Sequence, residues 1–162
     1  MTAFAAGKGL VIFSTGASRT NIGASTSLRL VDGSSRKWYD KVVMNIDYPF
    51  ESHFAGEHGH VRTLQLPPGE YFLMPQTANP FFVTTAAPVY RFSVEAGRAT
   101  YIGNFRLHED RLTCTDDKAA RDLEFFRAKN PAMSSVAVTP SIAQLAMTLD
   151  KFQTNGTIWG LP

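Results

Sequence analysis

The chain contains very little cysteine and few charged residues. Cys114 is the single cysteine among 162 residues, so no disulfide can form within the chain and packing must stabilise the fold. Charged residues make up 19% of the chain and the net charge is +2. The Lys and Arg residues are scattered, which argues against a nucleic-acid partner, since such a partner requires clustered positive charge. Hydrophobic residues reach 44%, which indicates a folded domain and not a disordered chain.

Long hydrophobic runs are also absent. A membrane-spanning helix needs about 20 consecutive apolar residues, and no such run occurs, so we expect no transmembrane segment. The first residues have no basic start, and the apolar run at residues 10–13 is too short for a signal peptide. The sequence therefore indicates either a cytoplasmic protein or one whose targeting segment, with any lipid anchor, was removed ahead of Met1.

Motifs that carry enzymatic chemistry are missing too. There is no Gly-x-Ser-x-Gly sequence, and Cys114 has no neighbouring basic residue or histidine to activate its thiol. The Gly7-Lys8-Gly9 sequence precedes a strand pattern, whereas a phosphate-binding loop leads into a helix. We therefore predict no enzymatic activity and no cofactor.

What the chain does contain is strand patterns punctuated by tight turns. Pro67-Pro68-Gly69 is predicted to join two short strands as a hairpin, and Ala96-Gly97 is predicted to join two more. Together these patterns predict an antiparallel β-sandwich of about seven or eight strands. Gly103, inside the longest strand pattern, indicates a bulge or a close backbone approach. The alternating aromatic residues are expected in the core: Tyr90, Phe92, Tyr101 and Phe105.

Helical patterns are confined to the C-terminal half. Asp116 and Asp117 are typical of a helix start, Leu123 and Phe126 form an apolar stripe, and Asn130-Pro131 ends the pattern. A second short helix is predicted over residues 142–149, and residues 47–59 are predicted to be a loop. We expect one domain over residues 1–162, in which residues 132–162 form a C-terminal extension.

Four motifs follow one another between residues 61 and 133. They are LPPGEY at residues 66–71, VEAG at 94–97, TYIGNF at 100–105 and DLEFFRAKNP at 122–131. Their order resembles that of uncharacterised bacterial envelope proteins, often lipoproteins, that have a prealbumin-like β-sandwich. The resemblance implies a mainly β, prealbumin- or Ig-like sandwich with one short edge helix, located in the periplasm or anchored to the outer membrane. Such proteins usually begin with a signal peptide and a lipidated cysteine, and this chain shows neither.

Histidines concentrate just before the first tight turn. His58 and His60 lie two residues apart, and side chains at that spacing on an extended chain point to the same side. They could therefore bind Zn²⁺ or Cu²⁺ together, with His53 or Glu57 as a third ligand. The alternative is a polar loop whose histidines are simply solvated.

Aromatic residues gather in the same region and offer a different surface. They could stack on a sugar or contact a protein partner, or they could fold onto the edge of the sandwich; these residues are Trp38, Tyr39, Tyr48, Phe50 and Phe54. We expect a non-enzymatic binding or structural module of the bacterial cell envelope, acting through residues 47–60 on an unknown protein or glycan. A metal-binding protein and a carbohydrate-binding module are the alternatives.

Overall fold

A computed structural model describes residues 4–18, 26–36, 38–46, 52–77, 86–108 and 111–150. In these parts the chain forms ten strands and one α-helix, which confirms a mainly β protein. The strands are β1 (Gly9–Ser18), β2 (Thr26–Asp32), β3 (Trp38–Asn45), β4 (Glu57–Leu66), β5 (Gly69–Thr77), β6 (Ala86–Val94), β7 (Ala99–Leu107), β8 (Leu112–Thr115), β9 (Val138–Pro140) and β10 (Gln144–Asp150). The helix α1 is Ala119–Lys129, and a 3-10 turn, Pro131–Met133, follows it.

The strands form two sheets that enclose the main core. Sheet A has the order β4-β1-β7-β8, with β9 also paired to β7, and sheet B has the order β10-β6-β5-β2-β3. Most pairs are antiparallel as expected, but β1–β7 and β7–β9 are parallel. The core between the sheets contains the predicted Tyr90, Phe92 and Phe105, whereas Tyr101 is buried on the opposite face of sheet A, beneath α1.

The two tight turns connect the sheets and do not form hairpins. The strands on either side of Pro67-Pro68-Gly69 are β4 and β5, which belong to different sheets, and the same is true of β6 and β7 around Gly97. Both prolines lack a backbone N–H, so strand pairing stops there, and Gly69 takes the expected positive φ of 153° as the chain changes sheet. The prediction of paired strands at these turns was wrong, although the turns are where the sequence indicates them.

The irregularity predicted at Gly103 is present. The register between β1 and β7 shifts there, since Ile12 is opposite Tyr101 while Ser14 is opposite Asn104. Gly103 has a φ of 117°, and a Cβ at this position would lie 2.6 Å from Cys114 Sγ. The bulge keeps Tyr101 and Asn104 on the same outer face of sheet A.

The predictions for the C-terminal half are correct for the first helix and wrong for the second. The helix α1 packs on sheet A through the predicted Leu123 and Phe126, and it ends at Asn130. Its first residue is Ala119, and Asp117 accepts a hydrogen bond from the Thr115 hydroxyl instead of capping the helix. Residues 144–150 form strand β10, because pairing with β6 buries Leu149 at the edge of sheet B.

The predicted loop at residues 47–59 also contains an unexpected strand segment. Strand β4 begins at Glu57, since β1 extends to Ser18 and the two strands pair along their whole length. Gly59 lies opposite Gly16 in this ladder. Long-range pairing thus overrides the loop composition, and it places both His58 and His60 within a strand.

Candidate functional site

Residues 52–56 fold back along the outer edge of β4. The hydroxyl oxygen of Ser52 lies 2.6 Å from the carbonyl oxygen of Glu57 and accepts the Gly59 N–H at 3.0 Å. The His53 N–H donates to the carbonyl oxygen of Gly59 at 2.7 Å. Gly56, with a φ of 87°, supplies the left-handed turn that this return requires.

His53 is fixed in place beside β4 and α1. Its Nδ1 accepts the Val61 N–H at 3.0 Å, and its ring stacks on Phe125 with the centroids 4.5 Å apart. Burial, and then the positive charges of Arg62 and Lys129, lower the pKa of His53 below its usual value. A neutral ring with its proton on Nε2 satisfies this geometry, because Nδ1 acts as an acceptor.

His58 and His60 lie on the inner face of β4, as their spacing predicts. They alternate in step with Leu64 and Leu66, which contact the core between the sheets, and their exposed fractions are 6% and 9%. The His58 Nε2 atom is buried and has no hydrogen-bond partner among the described residues. Neither histidine is a solvated loop residue, which contradicts that alternative interpretation.

The three histidines do not form a recognisable metal centre. The rings of His53 and His60 are 5.2 Å apart, at the edge of β4. Within the described ranges, however, no group of three or more His, Cys, Asp or Glu side chains is placed to hold a metal ion. Metal binding by His53, His58 and His60 stays a prediction.

A groove, which we call the edge groove, lies between the outer face of β4 and the C-terminal half of α1. Its volume is about 180 Å³, and it is lined by His53, Val61, Thr63, Phe125, Phe126, Lys129 and Asn130. The apolar surface comes mainly from Val61 and the two phenylalanines, while Lys129 lies over the Phe125 ring at 5.7 Å. Of this lining, only His53 was predicted from the sequence as a site residue.

A hydrogen-bonded cluster, the outer-face network, links α1 to strands β1, β4 and β7 of sheet A. Asp122 is fully buried and accepts hydrogen bonds from Tyr101 at 2.7 Å, from Arg121 at 2.8 and 3.0 Å, and from Ser14. Arg121 also donates to Glu57, which in turn accepts a hydrogen bond from Arg106. The remaining member, Asn104, donates to Ser14 at 2.6 Å.

The electrostatics of this network favour a structural role. Burial opposes the ionisation of Glu57, but the hydrogen bonds and positive charges of Arg106 and Arg121 outweigh it, so the pKa of Glu57 is lowered. Burial, together with the Asp122 carboxylate, raises the pKa of Tyr101. Because Ser14, Tyr101 and Asp122 have no solvent exposure, these groups hold α1 on sheet A and are closed to a substrate.

Two cations close to His53, Arg62 on the inner face of β4 and Lys129 at the edge groove, have no ion pair with a described carboxylate. Arg62 is partly buried, donates to the Thr15 hydroxyl at 3.1 Å and to the Asn45 carbonyl oxygen, and has no ion pair with a described carboxylate. Burial lowers the pKa of Arg62 to about 10. Lys129 likewise makes no ion pair within the described part of the chain, and its charge is placed by the Phe125 ring. Lys129 therefore gives the rim of the groove a positive charge.

The aromatic residues near the predicted loop do not form a described sugar platform. The guanidinium of Arg121 covers the Phe54 ring at 3.7 Å, and Phe54 also packs against Phe125. The side chains of Trp38 and Tyr39, and all of Tyr48 and Phe50, lie outside the described residues. Carbohydrate binding through these aromatic residues stays a prediction.

The sequence carried a weak signal for the residues of the groove. Phe125 and Phe126 are adjacent on α1, so they must point in different directions, and only Phe126 belongs to the apolar stripe. Phe125 and Lys129 are four residues apart and share the side that faces β4. Phe125, an aromatic residue outside the apolar stripe, was therefore the sequence signal for the edge groove. The sequence does not show that β4 lies opposite this residue.

The described part of the chain has no helix with the length and apolar character needed to cross a membrane. Comparison of the chain with protein-family models, with curated proteins and with solved structures gives no match.

Proposed function

We propose that the chain is a non-enzymatic binding module of the bacterial cell envelope that holds an apolar group of its ligand in the edge groove. The observation that carries the proposal is the groove itself, a cavity of about 180 Å³ with aromatic walls and a positive rim. An apolar cavity of roughly 150 Å³ is large enough to bind benzene, so one ring or one branched side chain fits here.

Small aromatic probes test the groove without a known ligand. Titration of ¹⁵N-labelled protein with N-acetyl-phenylalanine methylamide is expected to shift the amide signals of Thr63, Phe125 and Asn130. Phe125→Ala removes one wall and is expected to abolish these shifts, while Glu124→Ala, at the exposed neighbouring position, is expected to keep them. Shifts that are absent from the native protein, or that survive in Phe125→Ala, would contradict the proposal.

The envelope location rests on the order of the four sequence motifs and needs its own test. Fractionation of cells that express the complete native gene is expected to place the protein in the periplasmic or membrane fraction. Recovery in the cytoplasmic fraction would contradict this part of the proposal and would leave the binding role of the groove intact.

Metal binding is a second candidate, favoured by two observations. The rings of His53 and His60 are 5.2 Å apart, and the buried His58 Nε2 has no described hydrogen-bond partner. Zinc and copper contents of the purified protein, compared with those of a His58→Ala/His60→Ala variant, test this candidate. Bound metal that is lost in the variant would support it, whereas an absence of metal or equal contents would contradict it.

A further inference from the structure

The strand that borders the edge groove is also the edge strand of sheet A. Within the described residues, β4 pairs with β1 and with no other strand. In an antiparallel ladder, the N–H and C=O groups of alternate residues point away from the partner strand. Gly59 and Val61 are such residues, because their outward groups bond to His53. Thr63 and Gln65 must follow the same alternation.

A short row of backbone groups is therefore open beside the groove. It consists of the Val61 C=O, the Thr63 N–H and C=O, and the Gln65 N–H, none of which has a described hydrogen-bond partner. His53 covers the edge on one side, and Ala5 donates to the Gln65 side chain at 2.7 Å on the other. The open row matches the hydrogen-bonding groups of a short extended peptide.

The edge groove lies on the outer face of sheet A, the face on which alternate side chains of β4 lie. Val61 and Thr63 line the groove and belong to the residues whose backbone groups point outward. A strand added to β4 would place alternate side chains on that same face. One of them would enter the apolar groove, and those two residues away would lie above its rim.

The rim favours negative charge on such a peptide. Lys129 lines the groove and has no ion pair with a described residue. A second copy of this chain paired through β4 would bring Lys129 towards its own counterpart, and like charges disfavour that arrangement. An acidic peptide supplies the missing charge.

We propose that the edge groove binds an extended acidic peptide, which adds as a strand to β4 between Val61 and Gln65 and places an apolar side chain between Val61 and Phe125. This inference rests on the proposed function, since it names the class of ligand that the groove takes. Backbone hydrogen bonds supply the pairing, the groove selects the apolar residue, and Lys129 selects acidic residues two positions away.

Blocked heptapeptides of defined sequence test the proposal. The peptide TETVTET carries Glu, Val and Glu on one face, and it is expected to shift the Thr63 and Gln65 amide signals and to slow their hydrogen exchange. TKTVTKT reverses the charges and is expected to bind about tenfold more weakly at low salt. A form of TETVTET that is N-methylated on the residues facing β4 is expected to lose about tenfold or more in affinity, because its methylated amides cannot donate hydrogen bonds to β4.

Matched variants of the protein test how much backbone pairing and positive charge each contribute to peptide binding. Thr63→Pro removes an outward N–H without affecting the ladder to β1 and is expected to weaken the binding of TETVTET about tenfold, whereas Glu124→Ala, at an exposed position outside the groove, binds as the native chain does. Lys129→Gln is expected to weaken binding about threefold, while Arg127→Gln, at an exposed position away from the groove, does not. Circular dichroism and thermal unfolding verify that each variant is folded.

The outcomes separate this inference from the proposed function. If N-acetyl-phenylalanine methylamide binds the groove but the three peptides bind equally, or none of them shifts Thr63, the groove is a binding site and the strand-addition proposal is wrong. If neither the probe nor any peptide binds, both proposals fail. If the free protein sediments as a dimer whose Thr63 amide is already protected, a second copy occupies the edge and the peptide proposal is overturned.

Discussion

Polar groups lie against both faces of β4, and the two faces differ in how these groups are satisfied. On the outer face, Asp122 accepts four hydrogen bonds and Glu57 lies between two arginines. On the inner face, Arg62 is partly buried and has no described carboxylate partner, and His58 Nε2 has no described partner. A completed network fixes a structure, whereas uncompensated polar groups are typical of a place where a ligand or a proton completes the set.

The largest effect is expected from removing the centre of the completed network. Asp122→Ala should lower the free energy of unfolding by about 3–5 kcal/mol, because Arg121 and two buried hydroxyls lose their acceptor. Urea unfolding measures this change, and Glu124→Ala, on the exposed side of α1, should stay within about 0.5 kcal/mol of the native chain. A loss below about 1 kcal/mol for Asp122→Ala would show that the network does not hold the helix.

The same substitution on the two faces should give different results. Arg121→Met leaves the buried Asp122 carboxylate without its cation and should cost about 3 kcal/mol. Arg62→Met removes a partly buried charge that has no described ionic partner, so the free energy of unfolding should change by less than about 1 kcal/mol in either direction. Equal destabilisation by both variants would mean that Arg62 has an ionic partner, and the comparison would fail.

The smallest effect is expected in the pH dependence of stability. The pKa of Glu57 is lower in the folded chain than its ordinary value of 4.5, so its contribution is complete above about pH 4.5 and is lost as the pH falls through the folded pKa. Glu57→Gln should therefore be less stable near neutral pH and should lose less stability between about pH 5 and pH 3 than the native chain. Parallel curves for the two proteins would contradict the lowered pKa.

The fold class followed from local signals, but the site depended on long-range contacts. Turn chemistry at Pro67-Pro68-Gly69 and at Ala96-Gly97, with the alternating residues around them, was enough to predict a sandwich. The same signals could not show that each turn passes between sheets, because a turn sequence does not specify which partner a strand pairs with. The parallel pairing of β1 with β7 could not be inferred for the same reason.

For the candidate site, prediction from the sequence was limited in the same way and to a greater extent. The spacing of His58 and His60 correctly predicted a common side, yet their burial follows from pairing with Thr15 and Ala17, more than forty residues away in the sequence. Likewise, Phe125 lines a groove only because α1 lies against β4. Residue spacing determines the face on which a side chain lies, and tertiary packing determines what covers that face.

Amide hydrogen exchange along β4 tests the central claim most directly. In the free protein, Arg62 and Leu64 point their N–H groups towards β1 and should exchange slowly, while Thr63 and Gln65 should exchange fast. Addition of TETVTET should bring Thr63 and Gln65 into the slow class, and addition of TKTVTKT at the same concentration should do so far less. Slow exchange of Thr63 and Gln65 in the free protein, or exchange that the acidic peptide leaves unchanged, would contradict an open edge that binds a peptide strand.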